Sequence, residues 1–113
     1  VLGLNDAQKQ KLTSSMPELS IVDVPKNGDY PAYSTWGFAV AASANINLDE
    51  DIGYQIVRAI KEDEEDQAAA LSGLKGVDFI EKTLNYATVP LPPGAIRYFQ
   101  ERGASIPDRL IEK

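Results

Sequence analysis

Tyr30, Tyr33 and Trp36 stand close together in the segment GDYPAYSTW, and their types best suit contact with a small molecule. Aromatic rings wall an apolar or amphipathic ligand, and a phenol hydroxyl orients it. The same three side chains could instead pack a hinge or a core, and both readings stand. Other groups offer less. Glu62-Asp63-Glu64-Glu65-Asp66 places carboxylates in a row, but on a helix they point around the whole circumference and cannot converge on one ion. Asp49-Glu50-Asp51 lacks the alternating oxygens and the glycine of a calcium loop, and suits the positive end of a helix dipole better. Arginine pairs with carboxylates in a bidentate fashion. Arg58, Arg97, Arg102 and Arg109, however, fall on predicted helices or in the tail, so none is a candidate anchor.

The chain contains neither histidine nor cysteine. That removes serine–histidine and cysteine–histidine catalysis, thiolate zinc sites and disulfides. No carboxylate pair has a spacing that points to hydrolysis, so no catalytic residue, metal or cofactor is expected, and the chain does not read as an enzyme. The net charge of −6 argues against nucleic acid or an anionic membrane surface as a partner. No apolar run approaches the roughly 20 residues of a membrane span. The 113 residues, 43% of them hydrophobic, are enough for a single domain or a portion of one. Because the sequence opens on Val1 without methionine or signal peptide, a portion of a longer chain is the preferred reading over a mature protein or an isolated domain.

Local signals place these residues on elements. Asn5 caps a helix with Gln8 as its capping-box partner, and the helix stops near Ser14 or Ser15 before Met16-Pro17. Ser20 to Val24 is a short strand ended by Pro25, followed by a turn at Asn27-Gly28. Thr35 to Asn45 reads as a strand covered on both faces, with Trp36, Phe38, Val40 and Ala42 on the bulkier one; a helix over AVAASA is the alternative. Asn47 to Glu50 reads as a second capping box. The helix that follows has a core stripe of Ile52, Ile56, Ala59 and Ile60, with Val57 beside it. Gly73 and Gly76 mark a break, and a helix runs from Val77 to about Tyr86 with Val77, Ile80 and Leu84 inward. The last helix spans about Pro93 to Arg102: Pro93 is tolerated in its first turn, Gly94 allows close approach of a neighbour, and Gly103 ends it. Arg97 and Glu101 are spaced for an i, i+4 pair. Ile106-Pro107 then breaks the chain before a short charged tail.

The segment Pro90 to Gly103, PLPPGAIRYFQERG, resembles the C-terminal signature of the TAXI family, the solute-binding receptors of TRAP transporters, whose form is roughly P-L-H-P-G-A-x-R-Y-Y-x-E. Pro92 takes the histidine's place and Phe99 that of the second tyrosine; Pro93, Gly94, Ala95, Arg97, Tyr98 and Glu101 match. Val24-Pro25-Lys26-Asn27-Gly28-Asp29-Tyr30 resembles the family's I-P-x-G-x-Y segment with one additional residue. Thr35 to Phe38, followed by Leu48 to Asp51 and a helix carrying Tyr54, resembles its next strand and helix.

The resemblance implies an α/β fold, the C-terminal portion of a type II periplasmic-binding-protein fold, helix-rich with a few strands. Residues 1–113 would be a single domain or fragment from that region. It also implies an extracytoplasmic, periplasmic subunit that captures a small organic acid or an amino acid such as glutamate or glutamine. Such a subunit delivers its solute to the TRAP membrane permease. The signature itself then reads as scaffold, most of the pocket lying in segments N-terminal to this region. Tyr30, Tyr33 and Trp36 fall where the resemblance places a crossing between lobes, with Tyr30 matching the pattern best. Two other classes fit the same residues: a ligand-sensing module, and a helical protein-interaction module with an exposed apolar face and a homo-oligomeric state. An isolated portion of a two-lobed protein would self-associate for the same reason.

Overall fold

Two capped helices, a hairpin and a pair of tightly crossed helices account for most of the chain. The computed structural model describes residues 2–112. It divides into two compact units, one ending at Val40 and the other beginning at Ala41.

In the first unit, α1 (Asp6–Ser15) starts at Asn5, whose Oδ1 accepts from the Gln8 N–H at 2.9 Å while Gln8 Oε1 accepts from the Asn5 N–H at 2.9 Å. The predicted capping box is therefore complete. Strands β1 (Ser20–Val24) and β2 (Tyr33–Gly37) pair antiparallel, Ser20 opposite Gly37 and Val24 opposite Tyr33. Asn27 and Tyr30 exchange backbone hydrogen bonds across the turn. The Leu4 N–H donates to Ser34 O at 2.8 Å, tying the start of the chain to β2.

The long buried strand expected over Thr35 to Asn45 is not formed. Strand β2 begins earlier and ends at Gly37, and Phe38 to Asn45 is neither strand nor helix. A strand needs a partner for its N–H and C=O groups. Strand β1 begins only at Ser20, so the ladder runs out where Gly37 meets it. The bulkier face is accordingly bare, with Trp36 52% and Val40 93% exposed.

The second unit holds α2 (Glu50–Glu62), α3 (Glu64–Ala70), α4 (Phe79–Tyr86) and α5 (Pro93–Glu101), with short 3-10 turns at Ser72–Leu74 and Asp108–Leu110. Helix α2 is capped by Asp49, whose side chain accepts from the Asp51 and Ile52 N–H groups, and not by Asn47. Asn47 is instead held in the preceding turn, its N–H donating to Asn45 Oδ1. The helix is interrupted at Asp63, so the long helix expected there is two. Helix α4 starts two residues later than expected because Asp78 caps it, accepting from the Ile80 and Glu81 N–H groups.

The core is small and centres on α5: Ala95, Tyr98, Phe99 and Leu110 are its buried apolar side chains. Gly94 explains how α2 and α5 meet. A Cβ there would fall well inside 3.0 Å of Glu50 O and Tyr54 N, so only glycine lets the two backbones approach this closely. That approach sets the rotation of α2. Gly53 faces α5 and is buried, whereas Ile52, Ile56 and Ala59, three of the four expected core-stripe residues, are exposed. Ile60 and Val57 are half-buried. The supposed charged tail also turns inward. Leu110 is 0% exposed and its carbonyl accepts from the Leu91 N–H at 2.8 Å, while Arg109 donates to Leu84 O and Ala87 O at the end of α4.

Candidate functional site

The hairpin carries all three candidate ligand-binding residues. The Asn27–Tyr30 turn projects Tyr30, which is 67% exposed. Tyr33 opens β2 opposite Val24 and is half-buried, and Trp36 lies opposite Ile21. Side chains alternate along a strand, so Tyr33 and Trp36 leave opposite faces of the sheet. Tyr33 borders a concavity. Asp23, Val24, Pro25, Ala32, Tyr33 and Ser34 line an open hollow of about 380 Å³ where the two strands run into the turn. Two of these residues, Asp23 and Ser34, were not singled out by sequence reasoning. They are paired in register, and the Ser34 hydroxyl donates to Asp23 Oδ1. The signal available was the alternation of β1, which sets Asp23 apart from Val22 and Val24.

A second open hollow of about 390 Å³ lies along α2, lined by Asp51, Ile52, Gln55, Ile56 and Ala59. It is almost wholly apolar and consists of the stripe that α2 leaves uncovered.

The conspicuous signature forms a lock. Arg97 donates from Nη1 to Glu50 Oε1 at 2.7 Å and from Nη2 to Asp51 Oδ1 at 2.8 Å, and its guanidinium lies 4.6 Å from the Tyr54 ring centroid. The hydrogen bond to Asp51, with the field of Glu50, raises its pKa further above the usual arginine value. Glu101, the expected partner of Arg97, instead accepts from the Tyr54 hydroxyl at 2.7 Å. Tyr54 meets Tyr98 edge-on at 5.3 Å between centroids, a favoured aromatic geometry. Arg102 stacks 3.4 Å from the Tyr98 centroid in a cation–π contact.

Every arginine is thus engaged within the second unit. Arg58 donates to Glu62, Arg97 to Glu50 and Asp51, Arg102 to Tyr98 O, and Arg109 to the end of α4. The acidic run is dispersed, Glu62 taking Arg58 and Glu64 taking Lys61. Among the described residues no group of three or more acidic side chains could hold a metal ion.

The helix-rich α/β chain with its two-stranded sheet fits a portion of a periplasmic-binding-type domain. The comparison with family models gives it a place: the NMT1-like family matches residues 1–103, and the chain belongs to that family. The family is one of binding proteins of periplasmic type, typically extracytoplasmic. No curated protein and no solved structure matches the chain. No helix among the described residues is long and apolar enough to cross a membrane.

Proposed function

We propose that the chain is part of a TAXI-type receptor that captures a small organic acid or amino acid, such as glutamate or glutamine, outside the cytoplasm and passes it to a TRAP permease. The observation that carries this reading is the family match over residues 1–103 on a chain whose last motif, Pro90 to Gly103, resembles the TAXI signature. The receptor binds and releases without chemistry; Tyr30 and Tyr33 contact the solute, whereas Trp36 leaves the opposite face of the sheet. Ligand favours the bound conformation through its differential affinity for the two states.

Thermal-shift screening of the chain against amino acids and small dicarboxylates tests the capture role. A ligand at a hundred times its Kd stabilises by about 2.7 kcal/mol, a shift easily read. Tyr30→Ala should abolish most of that shift while leaving the unliganded Tm unchanged. Unaltered affinity together with a lowered Tm would remove Tyr30 from the site.

A helical interaction module is the second reading, favoured by the exposed Ile52, Ile56 and Ala59 stripe on α2. No thermal shift across a broad panel, in this chain or in the full-length receptor beside it, would favour it over solute capture.

A further inference from the structure

We propose that Asn27 is a site of spontaneous modification in the folded chain: its side chain closes onto the Gly28 nitrogen and reopens as isoaspartate, releasing the turn that carries Tyr30. Asn27 is the only asparagine in the chain followed by glycine. A side chain on the following residue crowds the ring closure, and glycine has none. Asn27 and Gly28 are both exposed, and a Cβ placed on Gly28 would meet nothing within 4 Å. The bridge between Asn27 and Tyr30 makes Gly28 and Asp29 a two-residue hairpin loop. Gly28 has φ 57° and Asp29 is not at positive φ, the pattern of a turn with glycine at its first central position. Nothing in this inference depends on solute capture.

The hydrogen bonds of the turn leave the reacting atoms free and prime one of them. The Asn27 N–H donates to Tyr30 O at 3.1 Å, and the Tyr30 N–H donates to Asn27 O at 3.0 Å. Among the described residues neither the Gly28 N–H nor the Asn27 side-chain amide has a hydrogen-bond partner. The bond to Asn27 O draws electron density from the nitrogen of the same peptide group, that of Gly28, and stabilises its deprotonated form. The other asparagines are engaged. Asn5 and Asn45 accept through Oδ1, Asn85 donates from Nδ2 to Glu81, and the Leu48 N–H that follows Asn47 is bound to Asn45 O.

Water is the only co-reactant. The Gly28 nitrogen gives its proton to hydroxide and its electron pair bonds to Asn27 Cγ. The Cγ–Nδ2 bond then breaks, and ammonia leaves with a proton from water. Hydrolysis of the resulting five-membered imide at Cγ yields aspartate. Hydrolysis at the main-chain carbonyl yields isoaspartate, in which the chain runs through Cβ and Cγ and gains one methylene. That methylene lengthens a loop whose two backbone hydrogen bonds require two residues between Asn27 and Tyr30, so the bridge opens.

The chain is incubated at mildly alkaline pH, in native buffer and in parallel in urea, and followed by peptide mapping with mass spectrometry. Resistance to aspartate-specific cleavage distinguishes isoaspartate from aspartate. Modification is expected at Asn27 ahead of every other asparagine, no slower in native buffer than in urea, and mostly as isoaspartate. Its rate should rise by up to about tenfold per unit of pH, with the ionised fraction of the amide. In the modified fraction, hydrogen exchange at Tyr30 should quicken while the ladder of β1 and β2 stays protected. Freshly prepared Asn27→Asp adds the charge without the methylene and should keep Tyr30 protected. Asn27→Gln keeps an amide beside Gly28 but lengthens the side chain, and should lose the modification. Modification confined to urea would overturn the native-state site. An isoaspartate fraction in which Tyr30 stays protected would overturn release of the turn.

Discussion

The two units use their aromatic residues in opposite ways. In the second, Tyr54, Tyr98 and Phe99 stack edge-on beneath two guanidinium groups, and Tyr98 is only 1% exposed. In the first, Tyr30 and Trp36 are more than half exposed, and no aromatic pair forms among the described residues there. The motif that most resembles a family signature is therefore spent on packing, where one methyl group is felt. The plainer segment keeps the free surface that contact with a solute requires. A recognisable motif and a usable site are different things in this chain.

The sharpest way to break this contrast is at Gly94. Gly94→Val puts side-chain carbon into Glu50 O and Tyr54 N, and should destabilise the second unit by about 3 kcal/mol or more. Hydrogen exchange should show the loss in α2 and α5. Its neighbour across the seam, Gly53, should not behave this way, since a Cβ there meets Leu48 and Gly94 only at ordinary contact distance. Gly53→Ala is expected to change stability by no more than about 1 kcal/mol, in the direction of gain through helix propensity. Equal losses at both positions would refute the close approach as the reason for Gly94.

Next in size is Leu110→Ala, expected to cost about 2 to 5 kcal/mol in denaturant melts as for a fully buried leucine. A cost near zero would return residues 104–112 to the status of a tail. Smaller again is Arg97→Gln. Its partners are solvent-exposed, so the fall in Tm should be slight and should vanish in high salt. The raised pKa of Arg97 gives a contribution fully present below the ordinary arginine pKa and lost only as pH rises through the higher folded value. Deprotonation of Arg97 therefore adds no pH dependence near neutrality. The smallest expected effect is that of Trp36→Ala on stability, within about 0.5 kcal/mol for an exposed site. A large loss would move Trp36 from the surface to a packing role.

The sequence by itself determined the elements whose signals are local. Asn5 and Gln8 are three residues apart and complete their own capping box. The turn after Pro25 and the entry of α5 at Pro93 are likewise short-range events, decided by φ preferences and by hydrogen bonds between near neighbours. Even the need for a glycine at position 94 was legible, although not what it would touch. Tertiary structure alone decided partners. The side of α2 that faces inward follows from the backbone approach at Gly94, and periodicity cannot distinguish one apolar face from another rotated around the axis. Arg97 had an acid one turn away in Glu101, yet pairs with Glu50 and Asp51, more than forty positions earlier in the chain. The end of β2 at Gly37 was fixed by where β1 begins, and the burial of Leu110 goes with a hydrogen bond from the Leu91 N–H, far outside its own stretch. The Asp23–Ser34 pair beside Tyr33 arises from strand register, a relation between distant residues that no single stretch of sequence contains.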